Sequence, residues 1–315
     1  MRAMILAAGL GTRIRPLSDL RPKPILPVRG IPLIAYPLAW LADVGVTEVM
    51  LNLHHMAAAT RAAAEAWAPP GLALHFSDEP ELLGTGGGIR RAAGFLRESD
   101  PSLLLAGDMI CDFDLCGLVA THRARGNAAS LVLREDPRAE RFGTIGLDAD
   151  GCVRRIARRF DLGGESDAGV YVNVTAVAPR AFDWLPDREV FSHLDDWLVP
   201  PLARGARDVR GALLSAAACR WDPVGTPSEY LQVNLAPQRL SYFDADARAR
   251  AVGARLEPDL VIGPGAALGR DVSLQRVVVW DGEKVPDGTR AQDGVFAGGA
   301  FHPVKPGRNG EGSPA

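Results

Sequence analysis

The apolar and polar positions along the chain fall into two textures. In the first, short apolar runs alternate with helical patterns. Ala3–Ala8, Glu48–Leu53, Leu72–Phe76 and Ser102–Ala106 read as strands buried on both faces. Between them, Ile31–Val44, the alanine-rich Met56–Trp67 and Gly87–Leu96 carry helical spacing. Such alternation predicts an α/β fold: a mostly parallel sheet sandwiched by helices and joined by right-handed crossovers. Ligands of such a sheet bind outside the carboxyl ends of its strands.

From Ala128 the strand pattern dominates. "AASLVLRE" reads as one strand, and "FGTIGLDADGCVRRIA" as a hairpin turning at Asp150-Gly151. "GVYVNVTAV" and "LLSAAACRW" read as two more, ahead of a helix from Ser228 to Leu235. An antiparallel extension that covers the open side of the first half is expected, forming the second wall of a cleft. Farther on, the chain from Val261 divides into sixes: VIGPGA, ALGRDV, SLQRVV, VWDGEK, VPDGTR, AQDGVF. A small or aliphatic residue opens each one (Val261, Ala267, Ser273, Val279, Val285, Ala291). This period predicts a short β-helix of hexapeptide repeats, with a plain β-rich segment as the alternative. So few coils cannot stand alone, so the piece is expected to dock on the main domain or on a second subunit, which offers a route to a homo-oligomer. The expected units are a main domain over 1–240, the hexad piece over 255–304, and a disordered tail over 305–315.

A chain of 315 residues suits one large domain or a main domain with an appendage. The formal charge of −3 gives no bulk attraction to nucleic acid or anionic membrane, so neither is expected as a partner and phosphate binding must be local. No apolar run approaches the roughly 18 residues of a membrane helix, and the chain opens straight into a strand without a signal peptide. Cys111, Cys116, Cys152 and Cys219 lack CxxC spacing, which reads as thiols in a reducing cytoplasm rather than a metal or redox site.

The candidate chemistry begins with "LAAGLGTRIRPLSDLRPKPILP", Leu6 to Pro27, directly after the first strand. Gly9 and Gly11 can turn amide N–H groups toward an oxyanion. Thr12 adds a hydroxyl, Arg13 a bidentate fork, and Lys23, between two prolines, a second cation at a fixed distance. The loop is neither a Walker A motif nor GxGxxG. A surface turn with solvated arginines is the plain alternative. "ELLGTGGGI" after the third strand reads as a second glycine loop, and such a loop suits a flat ligand lying against backbone. Together the two loops suggest a nucleotide. Asp108 ends the fourth strand, where a hard cation would be held beside phosphates. Asp114 reads as a helix cap, and His54-His55 as structural histidines.

"LAAGLGTRIRPLSDLRPKPILPV", "LGTGGGI", "AGDMICDFD" and "WDPVGTPSEYL" together resemble the sugar-1-phosphate nucleotidyltransferases, over about residues 1–235. The hexads resemble the short left-handed β-helix that many members carry. The resemblance implies a Rossmann-like nucleotidyltransferase domain that joins an NTP and a sugar-1-phosphate, with Mg²⁺, into an NDP-sugar and pyrophosphate. It further implies that Leu6, Ala8, Gly9, Gly11, Thr12 and Arg13 hold the NTP, and that Lys23 contacts the α-phosphate or the sugar phosphate. Gly84, Thr85 and Gly86 would line the base and ribose, Asp108 would ligate Mg²⁺, and Gly143 and Gly169 would contact the sugar. The implied step is an in-line displacement that needs positioning and charge stabilisation but no protein nucleophile.

Two departures stand out. Members commonly have an aspartate two residues before the glycine of "VGTP"; here Pro223 stands there and Asp222 lies one residue earlier. Asp222 is taken as the second metal ligand. The glutamate–lysine–proline segment that many members use on the sugar is missing, with "ARRFDLGG" near its place. The reading leans to mannose-1-phosphate and GTP. A uridylyltransferase using UTP with glucose- or amino-sugar-1-phosphate, N-acetylmuramate-1-phosphate included, is the first alternative. A catalytically silent nucleotide-sugar-binding regulator is the second. An NAD-binding protein stands further off, since no acidic residue follows a GxGxxG at the required distance.

Overall fold

The computed structural model describes residues 1–305 of the chain. Its parallel half consists of β1 (Arg2–Leu6), β2 (Glu48–Leu53), β3 (Ala73–Asp78) and β4 (Ser102–Ala106). They lie in the order β3-β2-β1-β4, every neighbour parallel. β1 and β4, inside the sheet, are covered on both faces, which is why they are almost continuously apolar. β3, expected to be buried on both faces, is the edge strand instead: Ala73 and Asp78 are exposed and the residues between them half-buried. Ala3 and Ile5 pack with Leu38 and Leu41 of α1 (Ala35–Asp43) and Ala64 of α2 (Ala57–Trp67). Met4, on the opposite face, packs with Ile89, Ala92 and Leu96 of α3 (Gly84–Leu96). α1 is shorter than its pattern because Ile31-Pro32 pairs back on Pro27-Val28 before the helix can begin. α3 is longer: "GTGGG" is its first turn rather than a free loop.

The antiparallel half contains β5 (Ala129–Arg134), β6 (Ile145–Leu147), β7 (Val153–Ile156) and β8 (Asp167–Val177). β8 joins the halves, with Val174 opposite Leu105 of β4, and it also pairs with β5 and β6. β6 and β7 form the hairpin around Asp150-Gly151. All belong to one sheet of ten strands. "LLSAAACRW" is not a single strand. Val209–Leu214 runs parallel to β5, and Arg220–Pro223 leaves the sheet to pair with Met109–Asp112. That second pairing matters for function: Val224 donates its N–H to the Asp108 carbonyl, so "VGTP" is fixed beside the end of β4.

The C-terminal strands pair in parallel with a constant offset of 17 residues, as in Val261↔Val278, Ala267↔Lys284 and Val278↔Val295. The hexad frame therefore slips. Ile262, Leu268 and Leu274 turn inward, followed by Val279, Val285 and Ala291 and then Phe296. The inward spacing is six, six and five, so Ala267 and Ser273 of the expected frame lie outside. A second stripe, Val261, Val278 and Val295, faces the main domain and shares a core with Val28, Ile31 and Tyr230. The expected tail 305–315 lies outside the described residues, except Lys305.

Candidate functional site

Two adjoining cavities open at the carboxyl ends of β1 and β4. The first, of about 260 Å³, is lined by the glycine loop (Gly9, Gly11, Thr12, Arg13), Lys23 and Asp108. Leu6 lines it as well; Ala8, buried beside it, does not. The second, of about 270 Å³, is walled by the antiparallel half, including Gly143, Tyr171, Asn173 and Trp221. Arg13, Asp108 and Gly225 line both. A ligand spanning the two would thus pass directly by a guanidinium and a carboxylate.

The loop is held open by its own chemistry. Gly11 adopts φ +63, and a Cβ there would press on Ser18 and Lys23 at 3.2 and 3.3 Å. Its carbonyl accepts from Ser18 Oγ at 2.8 Å and from the Ile14 N–H at 3.0 Å. Gly9 has open space where a side chain would stand, so a ligand can approach its backbone. Below the loop, Asn52 Oδ1 accepts from the Ala7 N–H at 2.8 Å. Asn52 Nδ2 donates to Glu79 Oε1 at 2.8 Å, and both side chains are buried. This network ties the ends of β1, β2 and β3 together. Both residues escaped the sequence reading, since single polar residues at strand ends carry no distinctive pattern.

Lys23 Nζ and Asp108 Oδ2 form an ion pair at 2.6 Å, with the lysine side chain 9% exposed and the carboxylate 42%. Asp108 lines the cavity, and its other oxygen has no hydrogen-bond partner among the described residues. Asp222 is not brought to this point. Trp221 and Pro223 line the second cavity, while the Asp222 carboxylate accepts from Arg220 Nε at 2.7 Å. Alternation along a strand forces this outcome: if residues 221 and 223 face the cleft, residue 222 faces away. Among the described residues no group of three or more His, Cys, Asp or Glu side chains could hold a metal. The donor set is a single carboxylate. That suits Mg²⁺, which is commonly held by one or two carboxylates with substrate phosphates and water completing its shell.

Gly84, Thr85 and Gly86 line neither cavity. Segment 189–191 crosses the first turn of α3 instead. A Cβ at Gly86 would lie 2.2 Å from the Phe191 ring, and one at Gly87 1.9 Å from the Glu189 carbonyl oxygen. These glycines permit close packing of the chain on itself, so the space assigned to a flat ligand is filled. Thr85 Oγ1 meets His193 Nδ1 at 2.8 Å, and burial pushes that imidazole down to about 4. Gly169 is likewise outside the cleft, pressed against Leu213 and Leu133. Farther along β8, Tyr171 and Asn173 reach the second cavity. A register shift between Tyr171 and Thr175, with Asn173 at φ +57, aims them there. The Tyr171 hydroxyl shares a hydrogen with Thr175 Oγ1 at 2.6 Å, and burial pushes it up to about 12. "YVN" carried no glycine or charge to mark it.

The outer wall is stiffened by arginines. Arg138 lies over the Phe142 and Trp221 rings, at 5.3 and 5.0 Å. It also donates to the buried Asp136, which Arg134 contacts too. Burial alone would raise the Asp136 carboxyl, but the hydrogen bonds from Arg138 outweigh it and leave it below the usual range. Two side readings find their places: Asp114 caps the helix Leu115–Ala124 by accepting from the Gly117 N–H, and His54 Nδ1 contacts the Glu79 carbonyl at 2.7 Å.

A glycine loop with two cations and a carboxylate, at the strand ends of a parallel sheet and opening on a second chamber of mixed lining, fits a nucleotide-handling enzyme of the α/β class. The comparisons narrow the class: residues 2–238 match the nucleotidyl transferase family, and the chain belongs to it, in its sugar-1-phosphate branch. It is 31% identical over 305 residues to the mannose-1-phosphate guanylyltransferase of Mycobacterium tuberculosis, covering 91% of this chain and 81% of that one. It is 32% identical to the catalytic subunit beta of mannose-1-phosphate guanylyltransferase of Drosophila pseudoobscura, over 57% of this chain and about half (49%) of that one. A UTP–glucose-1-phosphate uridylyltransferase from Synechocystis is 28% identical over 207 residues, 61% of this chain and 52% of its own. In fold the chain is similar to HddC from Yersinia pseudotuberculosis, with a TM-score of 0.61 at 22% identity, covering 74% of this chain and 97% of that one. No helix among the described residues is long and apolar enough to cross a membrane.

Proposed function

We propose that the enzyme converts GTP and mannose-1-phosphate to GDP-mannose and pyrophosphate. The observation that carries this reading is the pair of cavities joined at Arg13 and Asp108, one ringed by the glycine loop and the other roofed by Tyr171, Asn173 and Trp221. The nucleotide triphosphate lies on Gly9, Gly11 and Thr12 in the first chamber, and the sugar lies in the second near Gly143. Arg13, at the junction, stabilises charge on the α-phosphorus as the sugar phosphate oxygen attacks and pyrophosphate leaves. Lys23 neutralises a phosphate from below while fixing Asp108. Asp108 would hold a Mg²⁺ ion here, which when bound would supply further charge neutralisation on the triphosphate. Positioning and electrostatics suffice for such a transfer. The guanine and mannose assignments draw on the mycobacterial relative, which matches along most of both chains. A structural neighbour is described as complexed with GMP-PN. Free thiols throughout accord with a cytoplasmic site of action. The 17-residue coils are read as a left-handed β-helix, whose outer edge offers a surface for self-association.

The test is a panel of the common NTPs against mannose-, glucose-, N-acetylglucosamine- and N-acetylmuramate-1-phosphate, with the products identified by mass. GDP-mannose as the leading product is expected. A UDP-sugar as the leading product would replace this reading with the uridylyltransferase.

A further inference from the structure

The second cavity has four charged side chains in its lining: Arg13, Asp108, Arg141 and Glu229. Asp108 is engaged by Lys23, and Arg13 is shared with the nucleotide chamber. A sugar-1-phosphate brings its own dianionic group into this space, and that group needs a cation not already committed to the triphosphate. Arg158 and Arg159, in the segment where a sugar-handling lysine was sought, line neither cavity, and Arg159 Nη1 reaches Asp195 at 2.6 Å. Arg141 is what remains.

Its setting is built rather than incidental. Arg141 lies in the short helix Ala139–Phe142, one residue before its end. Its Nη2 lies 2.8 Å from Glu229 Oε1, and its guanidinium lies over the Phe142 ring at 4.9 Å. Glu229 is itself 9% exposed, and its other oxygen accepts from the Gly225 N–H at 2.9 Å. Gly225 is the residue at which the two chambers meet, and a Cβ there would lie 3.0 Å from Glu229 and 3.8 Å from Arg13 Nη2. Thus Glu229 holds Arg141 in the second chamber alone, while Arg13 stands at the junction and lines both. The other N–H groups of Arg141 have no protein partner among the described residues, and its fork matches phosphate geometry.

We propose that Arg141, oriented by Glu229, binds the phosphate of the incoming sugar-1-phosphate and so presents its oxygen to the α-phosphorus beside Arg13. This rests on the reading given under Proposed function. Arg141 touches substrate; Glu229 is a positioning residue. The experiment measures steady-state kinetics of wild type, Arg141→Gln, Arg141→Lys and Glu229→Gln, varying mannose-1-phosphate at saturating GTP and then the reverse. In Arg141→Gln the KM for the sugar phosphate should rise ~10- to 100-fold, the scale of losing a charge-assisted hydrogen bond, with the KM for GTP unchanged. Arg141→Lys should recover part of the loss, and Glu229→Gln should show a smaller rise in the same constant alone. Inorganic phosphate, competing with the sugar phosphate, should inhibit Arg141→Gln less than wild type. An unchanged sugar-phosphate KM in Arg141→Gln, or equal rises in both constants, would overturn the proposal. Wild-type protein inactive toward every sugar-1-phosphate would overturn the parent reading along with it.

Discussion

At the scale of single residues, the account turns on Arg13. It lines both chambers, and no ion pair within the protein claims it among the described residues. Arg13→Ala should lower kcat by a factor on the order of 10² to 10⁴, as loss of a preorganised charge does, and Arg13→Lys should restore only part of it. Near-normal turnover in the alanine variant, measured by pyrophosphate release, would remove Arg13 from the reaction. A second residue-level expectation concerns acid. Burial holds the imidazoles of His122 and His193 down to about 4, against an ordinary 6.5. In this window the unfolded chain binds more protons than the folded one, so stability is full above about pH 6.5 and falls as pH drops toward 4. Each histidine contributes up to about 3 kcal/mol of that loss. The urea midpoint should therefore decline between pH 7 and 5, and His193→Gln, which keeps a partner for Thr85, should flatten the decline. An identical slope in the variant would show that His193 titrates normally.

At the scale of elements, the C-terminal strands brace the segment that carries Lys23. Arg21 lies two residues from Lys23. It donates to both oxygens of Asp281, at 2.6 and 2.9 Å, and lies over the Trp280 ring at 4.8 Å. Trp280 Nε1 donates to the Tyr230 hydroxyl, which donates in turn to the Pro27 carbonyl. Both ends of the segment carrying Lys23 are thus tied to these strands. Trp280→Ala should cost about 3–5 kcal/mol of stability, as large-to-small changes in a core do. It should lower kcat as well, because Lys23 loses its support. An unchanged urea midpoint would show that the C-terminal strands are a detachable appendage. The sequence announced C-terminal strands but not their attachment, because the stripe Val261, Val278 and Val295 repeats at 17 and is invisible to a frame of six. The parallel strands and the glycine loop were legible, since burial on both faces and φ > 0 restrict residue choice strongly. The first turn of α3 was not: glycines allow close approach by a ligand or by the chain itself, and only the position of Phe191 decides between them. The resemblance pointed to Gly169 for the sugar, while Tyr171 and Asn173, which line the second cavity, carried no signal. A bulge re-aims side chains without leaving a mark in composition.

At the scale of the whole molecule, the ten-stranded sheet divides the proposed labour: the glycine loop and its cations line one cavity at the parallel half, and the antiparallel half walls the other, where the proposal puts the second substrate. The "VGTP" segment, pinned to the end of β4, seals the junction. Under the proposed function the transfer is direct between two bound substrates: Lys23 and Asp108, side chains of the junction that could take up a nucleotidyl group, are paired with each other. The most direct measurement of that claim is isotope exchange between labelled pyrophosphate and GTP, with and without mannose-1-phosphate. The account predicts GDP-mannose and pyrophosphate when both substrates are present, and no exchange when GTP is the only partner. Exchange with GTP alone would demonstrate a covalent nucleotidyl-enzyme and contradict direct transfer.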